Sequence, residues 1–320
     1  MKAIRAHEFG GPEVLKLEEI PTPKPEAGHV QLRIKAAGVN PVDTYIRSGN
    51  YAIKPPLPYT PGVDGAGTIE AVGAGVTKFK PGERVYTGRS VSGTYAEYAV
   101  ALESQVHPLP ANISFAQGAG VYVPCGTAYH ALHHFAKARA GETVLVHGAS
   151  GGVGIAAVQL ARAMGLVVFG TAGTTRGLEL ARHEGAHQVF DHTSAGYQDA
   201  VLQATGSRGL NIILEMLANV NLGADLKLLA QNGRVVVIGS RGDATINPRD
   251  LMGRRGSIHA FTLWAVTESE EQEIHAGLAA GMSNGTLRPV VGRELPLAEA
   301  TRAHKEVMES HAFGKIILIP

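Results

Sequence analysis

The sequence predicts an α/β fold in two parts, a doubly wound parallel sheet set within a β-rich domain. Three observations carry this prediction. From Thr143 onward, short apolar strands alternate with helical segments. The first of these strands runs straight into a glycine-rich loop, His147 to Gly154, inside which a helix starts. Residues 1 to about 120, by contrast, read as short strands broken by proline and glycine turns, the pattern of a small barrel or sandwich.

In order along the chain, strands are expected at 2–6, 15–19, 30–37, 67–72 and 84–86. A short helix is expected at 40–47, with Asn40 as its cap and Pro41 in its first turn, where a missing N–H costs nothing. The alternating region gives strands at 143–146, 166–171, 187–190, 211–214 and 234–238, with a sixth at 256–263. Helices fall between them at 152–164, 175–184, 195–204 and 222–230. Beyond about residue 265 two amphipathic helices, 268–283 and 296–309, precede a terminal strand, 315–319. The most economical layout assigns 1–124 and 265–320 to the β-rich domain and 125–264 to the inserted α/β domain.

Composition narrows the function classes. The 320 residues hold 29 Lys+Arg and 28 Asp+Glu, a net charge of +1, which argues against a strongly basic nucleic-acid binder. Glycine, at 40 residues, is near twice its average share of about 7%, as expected where backbone approaches a ligand closely. The single cysteine, Cys125, permits no intrachain disulfide and fits a reducing compartment, so the cytoplasm is the expected location. No leader-like apolar stretch follows Met1, and the uncharged stretches 104–136 and 143–161 are interrupted by prolines or glycines, so no membrane span is expected.

The strand–loop–helix at 143–164 reads as a dinucleotide-binding unit. The glycine positions of the G-x-G-x-x-G fingerprint hold Ala149, Gly151 and Gly154, with Gly148 just before them. Gly151 lets backbone approach a pyrophosphate, Gly154 lets the helix pack closely on the strand, and the helix N-terminus favours the anion. NAD sites place an acid at the end of the second strand to hold the ribose 2′-hydroxyl. Here that place reads Gly173-Thr174-Thr175-Arg176, with hydroxyls and a guanidinium suited to a 2′-phosphate, so NADPH is the expected cofactor.

These residues sit among longer strings: FGGPEVL (9–15), GVNPVDTYIRSG (38–49), LPYTPG (57–62), HGASGGVG (147–154), EMLANVNL (215–222), GSRG (239–242) and INPRD (246–250). With them the chain resembles, over nearly its whole length, the zeta-crystallin-like quinone oxidoreductases of the medium-chain dehydrogenase/reductase superfamily. The resemblance implies a GroES-like catalytic domain and a Rossmann domain with NADPH in the cleft between them. It implies that Ser150, Gly151, Gly152 and Val153 cradle the pyrophosphate and that Gly173 and His192 lie at the adenosine end. Asn221, Ile238, Gly239, Ser240, Arg241, Phe261, Thr262 and Leu263 match further NADPH contacts, Tyr45 a tyrosine beside the cofactor, and Thr127 a nicotinamide contact. Zinc-containing relatives have a cysteine near the position of Asn40 and a Gly-His-Glu motif where this chain has Gly62-Val63-Asp64, so no catalytic zinc is expected.

Quinone reduction asks the protein mainly to orient two rings and exclude water. Asn40, Asp43, Tyr45 and Tyr51 are the candidates: Tyr45 to position nicotinamide and quinone, Asn40 to orient substrate, Asp43 to fix the local helix. The family is associated with one-electron reduction of ortho-quinones to semiquinones. An alkenal or enone reductase is the alternative on the same fold. A non-catalytic crystallin-like or AU-rich RNA-binding role is a third reading, for which the sequence has no basic run. Family analogy implies a homodimer or homotetramer, with the strand at 256–263 as a pairing edge. Cys125, His130, His133 and His134 form the one further cluster of metal-ligating types. Spread along an apolar helix, they are not expected to share a face and are read as core and surface residues.

Overall fold

The computed structural model describes residues 1–309 and 311–320. Strands β1 (Lys2–Ala6), β2 (Leu15–Glu19) and β3 (His29–Val39) lead to helix α1 (Pro41–Arg47), then β4 (Asp64–Val72), β5 (Arg84–Gly88), β6 (Tyr98–Leu102) and β7 (Val106–Pro108). Helices α2 (Phe115–Gly118) and α3 (Thr127–His130) follow, and α3 is prolonged by a wide turn, Ala131–Phe135. The alternating region is β8 (Thr143–Val146), α4 (Gly152–Ala163), β9 (Val167–Ala172), α5 (Thr175–His183), β10 (Gln188–Asp191), α6 (Tyr197–Ala204), β11 (Leu210–Glu215), α7 (Ala218–Leu228), β12 (Leu229–Val237), α8 (Pro248–Met252) and β13 (Ser257–Ala260). The chain closes with α9 (Glu268–Ser283), β14 (Val291–Pro296), α10 (Ala300–Glu306) and β15 (Lys315–Ile319).

The elements form two compact units. The first joins 1–123 with 288–309 and 314–320, and the second comprises 124–287 with 311–313. The second unit runs on to residue 287, past the boundary at 264/265 expected from the sequence. The reason is packing: α9 lies against α3, where a Cβ on Gly277 would overlap the Tyr129 ring, so the helix belongs with the parallel sheet.

In the first unit the sheet runs β14-β15-β3-β4-β5-β7, with β6 also on β3, and β1-β2 form a separate hairpin. Antiparallel pairing of β15 with β3 sets Ile317 opposite Gly38 and brings the C-terminal strand into the N-terminal sheet. The core mixes both stretches, with Leu32, Ile69 and Tyr95 beside Leu297, Ala303 and Leu318. The short or glycine- and proline-bearing strands β6, β7 and β14 carry no alternation that reveals them in sequence.

The second unit is a six-stranded sheet ordered β10-β9-β8-β11-β12-β13, its pairs parallel. Its strands are apolar runs, as expected where helices cover both faces, with Val144, Leu145, Val146, Ile212, Ile213 and Leu214 fully buried. Strand order reverses between β8 and β11, the switch point where such sheets bind ligands beyond their C-terminal ends. The expected strand at 256–263 is shorter than read, because Phe261 and Thr262 leave the sheet and Leu263 begins a tight turn. It is an edge strand, as is β10 on the other side.

Candidate cofactor and substrate sites

The phosphate loop is built by backbone. Gly148 takes a left-handed conformation (φ +57°), and Gly151 caps α4 in extended conformation (φ −86°, ψ 174°). The first intrahelical bond is Ile155 N–H to the Gly151 carbonyl, so the N–H groups of 152–154 precede it at the positive end of the helix dipole. A Cβ on Gly151 would meet Ala312 Cβ at 3.4 Å and the Gly148 carbonyl at 3.5 Å, ordinary contacts with no clash. A Cβ on Gly154 would run into the Gly148 carbonyl and stand 2.7 Å from Ala149 Cα, so this glycine allows loop and helix to touch.

The other cofactor candidates of the second unit follow the ends of neighbouring strands. At the end of β9, Thr174 caps α5 by accepting the Gly177 N–H (3.1 Å), and the His192 ring lies against the bare face of Gly173. Arg176 is exposed and its guanidinium lies 3.6 Å from the centre of the Phe313 ring. After β12, Ile238 and Gly239 donate to the Glu215 carbonyl, Ser240 Oγ donates to the Gly242 carbonyl, and Arg241 N–H donates to Asn219 Oδ1. Thr127 opens α3 and is buried, as is Leu263; Phe261 is half-buried and stacks on Phe135 at 4.8 Å, and Thr262 is exposed.

Two supporting groups escaped the sequence reading. Ser150 Oγ donates to the Ala312 carbonyl (2.7 Å), so residues 311–313, distant in sequence, help frame the phosphate loop. Beneath it lies a buried triad. His147 Nε2 stands 2.9 Å from Asp225 Oδ1 and 3.4 Å from Glu215 Oε2. Burial disfavours a charged His147, but Asp225 and Glu215 outweigh it and raise its pKa. Burial also raises the Glu215 pKa, and His147 opposes that shift. Glu215 Oε1 accepts from Leu217 N–H and from Asn221 Nδ2 (3.2 Å), so the triad orients Asn221. The visible signal was a histidine and a glutamate ending apolar strands of one sheet.

In the first unit the candidates lie at the ends of β3 and β4. Asn40 caps α1, and its own N–H donates to Asp43 Oδ2 (2.8 Å), closing a capping box. Asn40 Nδ2 donates to Asp64 Oδ2 (3.1 Å), and Lys315 Nζ donates to Asn40 Oδ1 and to Asp64 Oδ2 (3.3 Å). Asn40, Asp43, Asp64 and Lys315 are each at most 5% exposed. Both ends of the Asn40 amide are therefore committed inside the protein. Burial pushes the Asp43 carboxyl up to about 7, opposed by the Asn40 N–H and Lys315. Tyr95 donates to Asp43 (3.3 Å), and His304 contacts the Tyr95 hydroxyl (3.2 Å). Tyr45, on α1, and Tyr51, just beyond it, are half-buried. The Lys315 ammonium already holds the oxygens of Asn40 and Asp64, and the adjoining Val63 has no ligand atom, so a metal ion does not fit there.

Comparison with known proteins finds matches in both parts of the chain. Residues 26–111 match the alcohol dehydrogenase GroES-like domain, and 152–279 match the zinc-binding dehydrogenase family, whose zinc the residues around Asn40 do not accommodate. The chain is 52% identical to the human quinone oxidoreductase over 321 residues, covering 100% of this chain and 98% of that protein. It superposes on the crystal structure of Escherichia coli quinone oxidoreductase complexed with NADPH with a TM-score of 0.91 at 31% identity, covering 100% of both chains. The crystal structure of an NAD-dependent alcohol dehydrogenase, also 31% identical and covered in full, gives a TM-score of 0.93.

Proposed function

The chain belongs to the quinone oxidoreductases of the medium-chain dehydrogenase/reductase family, and from that premise we propose that it reduces quinones with NADPH. The observation that carries the proposal is the N-terminus of α4, where Gly151 caps the helix and the N–H groups of 152–154 precede the first intrahelical bond, followed at the end of β9 by Arg176 where NAD sites place an acid. The donor set fits the cofactor: the N–H groups of 152–154 take the pyrophosphate, Thr174 and Arg176 the 2′-phosphate, and Asn221, held by Glu215, the nicotinamide half. Ser150, Gly173, His192, the 238–241 segment, Thr127 and 261–263 complete its surroundings.

NADPH supplies the reducing equivalents, and the quinone is itself a good acceptor, so the protein's task is alignment and exclusion of water. Tyr45 positions the rings through its hydroxyl, and Tyr51 lines the substrate side. Asn40 and Asp43 serve by fixing the start of α1, since their polar atoms are already engaged. We place the enzyme in the cytoplasm as a homodimer or homotetramer, with a small-molecule quinone as its partner and no membrane association. Among the described residues no helix is long and apolar enough to cross a membrane, and the edge strand β13 offers a surface for pairing.

The test is NADPH oxidation by the purified protein with 9,10-phenanthrenequinone, run beside NADH and beside an alkenal. Quinone turnover that prefers NADPH supports the proposal. Turnover of the alkenal alone overturns the quinone assignment and leaves the cofactor assignment standing.

A further inference from the structure

The cluster of histidines that follows Thr127 is not the scattered set its sequence implies. His130 and His134 are one helical turn apart, and their rings stack with centroids 4.7 Å apart and planes 17° from parallel. His133 turns elsewhere and stacks on Tyr129 at 4.1 Å. A third group comes from α9: Glu270 Oε1 lies 3.1 Å from His134 Nε2. The ligand atoms of His130, His134 and Glu270 all fall within 4.8 Å of one another, wholly inside the second unit.

We propose that His130, His134 and Glu270 form a binding site for a divalent transition-metal ion, with Zn²⁺ the best chemical match. Two imidazoles and a carboxylate are a known zinc donor set, which leaves a fourth position to water. Ligands about 2.0–2.1 Å from a tetrahedral ion stand about 3.3 Å apart. The His134–Glu270 separation meets this spacing already; His130, whose ligand atom lies within 4.8 Å of the other two, joins when its ring turns out of the parallel stack, since an imidazole donates in its own plane. Two nitrogen donors disfavour Ca²⁺ and Mg²⁺, which prefer oxygen.

The surroundings are organised as metal sites are. Glu270 is the third helical residue of α9, and its Oε2 accepts from Thr267 N–H (2.7 Å) and Oγ1 (2.9 Å). This capping box fixes the carboxylate and leaves Oε1 for the ion, the outer hydrogen bonding that ligating carboxylates usually have. His130 is held edge-on by Phe135 and Phe261, at 5.1 and 5.0 Å. The buried His130, half-buried Glu270 and exposed His134 form a graded site with access from solvent on the His134 side. An ion there would clip α3 to α9.

The experiment uses untagged full-length protein stripped with a chelator. Equilibrium dialysis against micromolar Zn²⁺ should give one ion per chain, and Co²⁺ should give the visible absorption of a low-coordinate nitrogen–oxygen site. His134→Ala and Glu270→Gln should each weaken binding more than about tenfold. Gln keeps the capping box, so the Glu270 variant folds, and unchanged NADPH binding by both variants confirms that they are intact. His133→Ala and Asp225→Asn, which respectively alter an adjacent histidine and the buried triad, should bind as wild type does. The proposal is overturned if the wild-type chain takes up no stoichiometric Zn²⁺, if His134→Ala and Glu270→Gln bind it unchanged, or if either control abolishes it.

Discussion

Two glycines of the phosphate loop, three residues apart, should respond to the same change in opposite ways. Gly151 adopts φ −86°, ψ 174°, which alanine also accepts, and a Cβ there has ordinary contacts of 3.4 Å to Ala312 Cβ and 3.5 Å to the Gly148 carbonyl. Gly151→Ala should thus leave the fold intact and even add ~0.4–1 kcal/mol by restricting the unfolded chain. Its methyl group projects into the loop that we propose cradles the pyrophosphate, so NADPH should bind at least about tenfold more weakly, a loss of ~1.4 kcal/mol. Gly154→Ala drives its methyl into the Gly148 carbonyl and to 2.7 Å from Ala149 Cα. Neither neighbour is a flexible side-chain end, so the loop must shift, at an overpacking cost of ~1–3 kcal/mol. Urea unfolding without cofactor measures the first quantity, and NADPH titration by fluorescence the second. If Gly151→Ala binds NADPH as wild type does, the loop is not the cofactor cradle. If it loses as much stability as Gly154→Ala, the contact argument is wrong.

Other consequences can be checked separately. Arg176→Ala should raise KM for NADPH about tenfold while leaving KM for NADH nearly unchanged, and an equal effect on both would remove Arg176 from the 2′-phosphate. Tyr45→Phe should lower kcat/KM for the quinone with unchanged thermal stability, whereas wild-type kinetics would show that its hydroxyl takes no part. Burial, aided by Arg47, depresses the His304 pKa to about 3 from an ordinary 6.5. Below pH 6.5 the unfolded chain therefore binds a proton that the folded chain refuses, and stability falls by ~1.4 kcal/mol per pH unit towards pH 3. Between pH 7 and pH 5, His304→Gln should lose ~2 kcal/mol less than wild type in urea unfolding. Asp43, titrating in the opposite sense, contributes to both chains and drops out of that difference to first order. Equal losses in the two chains would mean that His304 is not held neutral.

What could be read from the sequence was whatever the backbone alone dictates. The phosphate loop is local, and its glycines and the strand and helix around it are contiguous, so its architecture was legible. The same holds for the α1 cap at Asn40 and for the apolar strands β8 and β11. Groups assembled by tertiary pairing were not legible. Lys315 reaches Asn40 and Asp64 only because β15 pairs with β3, and Ala312 and Phe313 meet Ser150 and Arg176 from the far end of the chain. The placement of α9 was misread because glutamates dominate its first turn, while the contact that decides its unit is the bare face of Gly277. The histidine run was misread as scattered because spacing shows which side chains are one turn apart but not that a partner waits on another helix.

The pairing of β15 with β3 also orders events during synthesis. Strand β3 leaves the ribosome early, yet the strand that seats against Gly38 is made only after the whole parallel-sheet unit. The inserted parallel-sheet unit is translated before β15 appears, so it can fold while the first unit still lacks that strand. Until Lys315 arrives, the buried carboxylate of Asp64 has no cation, and a nascent first unit holds an unbalanced charge as well as an unpaired strand. A break in the chain ahead of Lys315 would make that transient condition permanent, far along the sequence from the sheet it disables.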